Sequence, residues 1–137
     1  MTRRSRAREV ALQLLFQRDQ NPTVSREDVE RFAHDRVRDP SLVTFCLGLF
    51  DGVGTHAEEI DKRLADAAEN WRVPRMAAVD RNVLRLGGYE LLFSTETPPA
   101  VVIDEAINLA RRYGAADSPA FVNGVLDKLR QGVAPSA

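Results

Sequence analysis

The sequence predicts an all-α protein. Three observations carry that reading: every long segment repeats its apolar residues at helical spacing, none shows the strict alternation of a half-buried strand, and Pro, Gly and Asx punctuation divides the 137 residues into seven such segments. A chain of this length buries a core without disulfides or metals to staple it. With 44% hydrophobic and 28% charged residues, a net charge of -1 and no apolar run of membrane-spanning length, it reads as one folded domain over residues 1–137 and not as a membrane-embedded or disordered chain.

The first helix is predicted from Arg3 or Ser5 to Arg18, with Ala7, Val10, Ala11, Leu14 and Leu15 on one face and Asn21-Pro22 as the stop. Arg3, Arg4, Arg6 and Arg8 crowd its first turns, where a helix carries partial positive charge and prefers acids. The cluster therefore does not stabilise the helix. It fits a targeting peptide, a solubilising end or a contact surface for a polyanion. Targeting is the poorest fit, because Glu9, Gln13 and Gln17 interrupt the apolar run that a secretory signal needs.

Ser25, three residues before Asp28, resembles a capping box opening a second helix with the stripe Val29, Phe32, Ala33 and Val37. Asp39-Pro40 ends it, and Pro40 serves as the first position of a third helix striped by Leu42, Phe45, Cys46, Leu49, Phe50 and Val53. Gly48 and Gly52, four apart on that helix, are read as a close approach between helices, since phosphate loops need another spacing and a preceding strand. Thr55 with Glu58 forms a further predicted capping box, for a fourth helix placing Ile60, Leu64, Ala67 and Trp71 on one side.

After the Arg72-Val73-Pro74 turn, residues 75 to 93 are apolar on most sides, which belongs to the centre of a bundle. Its polar residues, among them Asp80, Arg85 and Glu90, must reach an edge or find partners. A sixth helix follows Thr97-Pro98-Pro99, with Val102, Ala106, Leu109, Ala110 and Tyr113, and stops at Gly114. The seventh starts at Asp117 or Ser118, with Asp117 as its predicted cap and Pro119 just inside, and carries Phe121, Val122, Val125, Leu126 and Leu129. Asn123 and Gly124 are read as packing residues, and the final "VAPSA" as a frayed tail.

Catalytic chemistry is poorly represented. His34 and His56 stand far apart on different helices, so no metal site is expected; Glu58-Glu59 and Asp104-Glu105 are adjacent pairs, which do not face each other on a helix. The lone Cys46 lies in an apolar stripe and requires no oxidising compartment, so the chain reads as cytoplasmic, with no membrane association. No enzyme activity and no cofactor are expected. A binding or adaptor role is the richer class.

Three stretches carry a family resemblance: "RAREVALQLLFQ" at the start, "LRLGGYELL" in the central helix, and "VVIDEAINLARRYGAADSPAFVNGVLDKL" near the end. Together they resemble the NusB family of transcription antitermination factors, over essentially the whole chain. The C-terminal block is the most specific, because its acidic-Ala pair, Tyr-Gly stop, Asp-Ser start and Phe-Val-Asn-Gly-Val-Leu run occur in order. The resemblance implies a compact bundle in two packed helical subdomains. It further implies binding of a boxA-like sequence in single-stranded nascent RNA, notably on ribosomal RNA operons, with the small-subunit ribosomal protein that doubles as NusE as partner. Contact with the RNA polymerase elongation complex is then indirect.

Carried over residue by residue, the family's basic RNA-contacting motif falls on Arg3, Arg4, Arg6 and Arg8, its first-helix aromatic on Phe16, and the aromatics of the last corner on Tyr113 and Phe121. Ser5 departs from the arginine run common among relatives. Phe16 and Phe121 also fit the core, the commoner fate of large aromatics. Asp117, beside such a track, repels phosphate and is placed to limit affinity or select sequence. Asp80 and Arg85 are the residues expected to meet the partner protein. Two other readings compete: the NusB-like domain of a ribosomal RNA cytosine methyltransferase, although no cofactor loop or catalytic cysteine motif occurs within these residues, and a purely protein-binding helical module.

Overall fold

The computed structural model describes residues 3–69 and 71–132, and these contain helices and no strand. Seven α-helices follow in order: α1 Arg3–Gln20, α2 Arg26–Val37, α3 Pro40–Thr55, α4 Ala57–Ala67, α5 Ala78–Phe93, α6 Pro99–Tyr113 and α7 Ser118–Gln131, with one 3-10 turn at Val73–Arg75. The chain divides into two compact units, one ending at Thr55 and one beginning at His56. The tail expected to fray, residues 133–137, lies outside the described residues.

In the N-terminal unit α1 packs on α2 and α3, and α2 on α3. The predicted face of α1 is buried in full, but Arg8, Glu9 and Leu12 are buried too, so the middle of this helix is enclosed on more sides than its apolar stripe. The Ser25 cap forms as expected, its Oγ accepting from the Asp28 N–H at 3.1 Å. The cap of α3 was not foreseen: Asp39 Oδ1 accepts from the Ser41 N–H at 2.9 Å, the Leu42 N–H at 3.4 Å and the Ser41 hydroxyl at 2.7 Å. These bonds, the Ser41 hydroxyl foremost, hold the Asp39 carboxyl below its ordinary range. Burial pushes the Cys46 thiol up to about 12, so it stays protonated and is no nucleophile.

Three expectations for helix ends and packing are corrected. The Thr55–Glu58 capping box does not form: α3 runs through Thr55, and His56, at the cap position of α4, makes no side-chain cap bond. The His56 ring lies instead on Phe93, centroid to centroid 3.9 Å. Nor do Gly48 and Gly124 admit a neighbouring helix. Both are exposed, and a Cβ on either would meet nothing within 4 Å; Asn123 is exposed beside Gly124. The close approach is at Gly87 on α5, where a Cβ would stand 2.9 Å from the Leu126 side chain of α7.

In the C-terminal unit α5 packs against α4, α6 and α7, the central position its composition predicted. Val83, Leu84 and Leu86 are buried there, and Arg85 reaches the edge to clasp Asp61 of α4 with two bonds of 2.9 Å. Asp117 does not cap α7, because its side chain makes no cap bond. Ser118 shapes that corner: its buried Oγ accepts from the Ala115 N–H at 2.9 Å, and a Cβ at Gly114 would come within 2.6 Å of it. Gly114 has an ordinary extended φ of -97°, so space and not handedness requires glycine.

Candidate nucleic-acid interface

In the N-terminal unit the cluster of arginines separates into distinct environments. Arg3, whose side chain is 74% exposed, is ion-paired with Asp39, and Arg6, 41% exposed, with the buried carboxylate of Glu9. These acids offset the cost of cations at a helix start. Arg4 is exposed, its guanidinium 4.4 Å from the Phe45 ring centroid; Arg8 lies over the same ring at 5.1 Å but is only 3% exposed. Three guanidiniums therefore face solvent, while Arg8 is enclosed and serves packing in this conformation. Phe16 is 39% exposed, so this ring does not follow the usual burial of large aromatics.

In the C-terminal unit Tyr113 and Phe121 are both half-buried at the α6–α7 corner. The Arg112 guanidinium lies 5.6 Å from the Tyr113 ring, and Phe121 meets Trp71 edge to face at 5.7 Å and 68°. Asp117 is exposed between them in sequence. Trp71 was expected on the core face of the fourth helix; it stands beyond the end of α4 and is 54% exposed. The proline three residues after it, Pro74 of the turn, is the signal that helical periodicity does not extend that far.

The two candidate partner residues differ. Arg85 is committed to Asp61, with 21% and 32% of the two side chains exposed. Asp80, half-buried in the first turn of α5, keeps one carboxylate oxygen, Oδ1, with no hydrogen-bond partner. Among the described residues no three His, Cys, Asp or Glu side chains converge to hold a metal ion, and no helix is long and apolar enough to cross a membrane.

The family model for the NusB family matches residues 5–131. The chain belongs to the NusB family. Among curated relatives, the transcription antitermination protein NusB of Sorangium cellulosum is 43% identical over 131 residues, covering 96% of this chain and 94% of that protein. The protein of the same name from Anaeromyxobacter dehalogenans is 44% identical over 137 residues, covering 98% and 95%. These relatives bear the name of a transcription factor, not of an enzyme. The NusB structure from T. maritima matches with a TM-score of 0.85 at 35% identity, over 98% of this chain and 94% of that one. A structure described as antitermination factors NusB and NusE in complex with dsRNA matches with a TM-score of 0.87 at 27% identity, over 97% and 99%. The NusB fold thus accounts for nearly all of both chains.

Proposed function

We propose that this NusB-family chain is a transcription antitermination factor that binds a boxA-like sequence in single-stranded nascent RNA together with a NusE-type ribosomal protein. It acts notably on ribosomal RNA operons, in the cytoplasm, and meets the RNA polymerase elongation complex indirectly. The observation that carries the reading is the row of solvent-facing guanidiniums, Arg3, Arg4 and Arg6, at the start of α1 in a chain whose fold matches NusB bound to NusE and RNA.

Cations of this kind neutralise successive phosphates, and exposed rings such as Phe16 accept unstacked bases, the combination that single strands require. Tyr113 and Phe121 supply further rings in the other unit. Asp117, exposed and freed from capping, tempers the affinity for phosphate. Asp80, whose Oδ1 is unpartnered but shielded from solvent, is the stronger candidate for the NusE-type partner, which has to uncover that oxygen to engage it; Arg85 supports it by fixing α5 on α4. The RNA in the matching complex is double-stranded; the α1 cations together with the exposed Phe16 ring favour a single strand here.

The test is a titration of labelled boxA-like RNA with the protein alone and with the NusE-type partner. A strong gain in affinity from the partner is expected. Equal affinities with and without it contradict the adaptor role.

A further inference from the structure

We propose that Trp71 is a base-stacking position for single-stranded RNA, where one unstacked nucleobase lies on the exposed indole while Arg72 and Arg75 accompany the neighbouring phosphates. This deepens the RNA-binding reading above and rests on it. Trp71 is the most exposed large hydrophobic side chain among the described residues, at 54% against 42% for Val101 and 39% for Phe16.

The backbone holds the ring out. Glu69 turns the chain away from α4 with φ 54°, and the Trp71 N–H donates to the Ala68 carbonyl at 3.3 Å. Beyond it, Val73 and Met76 are buried, the Arg75 N–H donates to the Arg72 carbonyl at 2.9 Å, and the Arg81 guanidinium donates to the carbonyls of Pro74 at 3.3 Å and Met76 at 2.9 Å. The edge-to-face contact with Phe121 restricts the orientation of the indole. A ring restricted in this way has less conformational entropy to lose when a ligand stacks on it.

Charge selects the occupant. Residues 71 to 75, "WRVPR", hold two exposed arginines and no acid, which suits a polyanion carrying planar bases better than a purely apolar protein face. Continuity with Phe121, a ring of the proposed RNA surface, points the same way.

Trp71 is the one tryptophan of the chain, so indole emission reports on this position alone. The intact protein is titrated with a short single-stranded oligoribonucleotide in one arm and with inorganic polyphosphate in the other. The oligoribonucleotide should quench the emission in step with binding, whereas polyphosphate, which has charge without bases, should leave it nearly unchanged. By anisotropy of the labelled RNA, Trp71→Ala should weaken binding about 5- to 150-fold and Trp71→Phe should retain most of the affinity. Thermal unfolding confirms that the variants are folded, and if Trp71→Ala is not, the emission titration and Trp71→Phe decide. Unchanged emission while RNA binds with a salt dependence set by the α1 arginines overturns this proposal and leaves the RNA reading standing. Absence of RNA binding with and without the NusE-type partner overturns both. If Trp71→Ala weakens only the partner's binding, the patch is a protein contact and the proposal is wrong.

Discussion

Arg6 keeps its guanidinium on the buried carboxylate of Glu9, whereas Trp71 rests one ring edge on Phe121 and leaves more than half of its surface in water. The first belongs to the N-terminal unit and the second to the C-terminal unit, and they present binding chemistry in opposite ways. An exposed arginine such as Arg3 exchanges its acid for a phosphate at little net cost, because exposed ion pairs are worth only about 0–1 kcal/mol, whereas Arg6 turns to a phosphate only by giving up the buried Glu9 carboxylate. Its contribution is therefore charge, sensitive to salt and indifferent to sequence. A ring on a pinned backbone contributes shape and stacking, sensitive to substitution and less so to salt. On the proposed reading, electrostatic affinity comes from one unit and base contact largely from the other.

The largest effect expected lies in the scaffold that holds the second kind of site. Leu86 is 2% exposed on α5, so Leu86→Ala should cost about 2–5 kcal/mol in chemical unfolding. A loss near zero would mean that α5 is not the centre of its unit, and the rings would lose their rigid support. Next comes a contrast within the arginine cluster. Arg8→Ala should destabilise by about 1–3 kcal/mol, since it removes an enclosed side chain over Phe45, while Arg3→Ala, which removes an exposed side chain, should leave the unfolding midpoint nearly unchanged. Equal stability of the two variants would erase the distinction between packing and phosphate-facing arginines.

Much of this distinction was legible in the sequence and some was not, for physical reasons. The helical periods, the Ser25 cap, Pro40 at the start of α3 and the apolar α5 follow from local chemistry, and all are found. The positions of Gly48 and Gly124 failed because a glycine marks close approach only where a second helix comes near, and periodicity does not say which face that is. The Thr55 box failed because nothing between α3 and α4 breaks the helix before Thr55, and His56 is drawn onto Phe93. Of the candidate site, the exposed state of Arg3, Arg4 and Arg6 was readable from their place at a helix start. The burial of Arg8 depends on Phe45, a residue far along the chain, and the exposure of Trp71 depends on where α4 ends. Both are tertiary facts that a single helical stripe does not contain.

Smaller effects sharpen the comparison further. Asp80→Lys should weaken binding of the NusE-type partner about ten-fold, equivalent to ~1.4 kcal/mol, and leave RNA binding by the isolated protein nearly intact. Arg85→Glu, by contrast, should lower stability first, because it sets two acids against each other across α4 and α5. Partner affinity untouched in a folded Asp80→Lys protein would make Asp80 a structural residue only. Asp117→Asn should tighten RNA binding a few-fold, as an exposed acid is removed and no cap is lost. Weaker binding in that variant would show that the carboxylate itself engages the RNA.

The most direct test of the whole account is the dependence of RNA affinity on salt. With Arg3, Arg4 and Arg6 each neutralising one phosphate, log affinity for single-stranded RNA should fall against log salt with a slope of about -2, from roughly 0.7 per contact, and other cations would steepen it. Replacing all three by alanine should remove about two units of slope and weaken binding to all RNA sequences alike. Parallel lines for the wild-type protein and a folded triple variant would show that the α1 arginines touch no phosphate, and would contradict the division of labour between the two units.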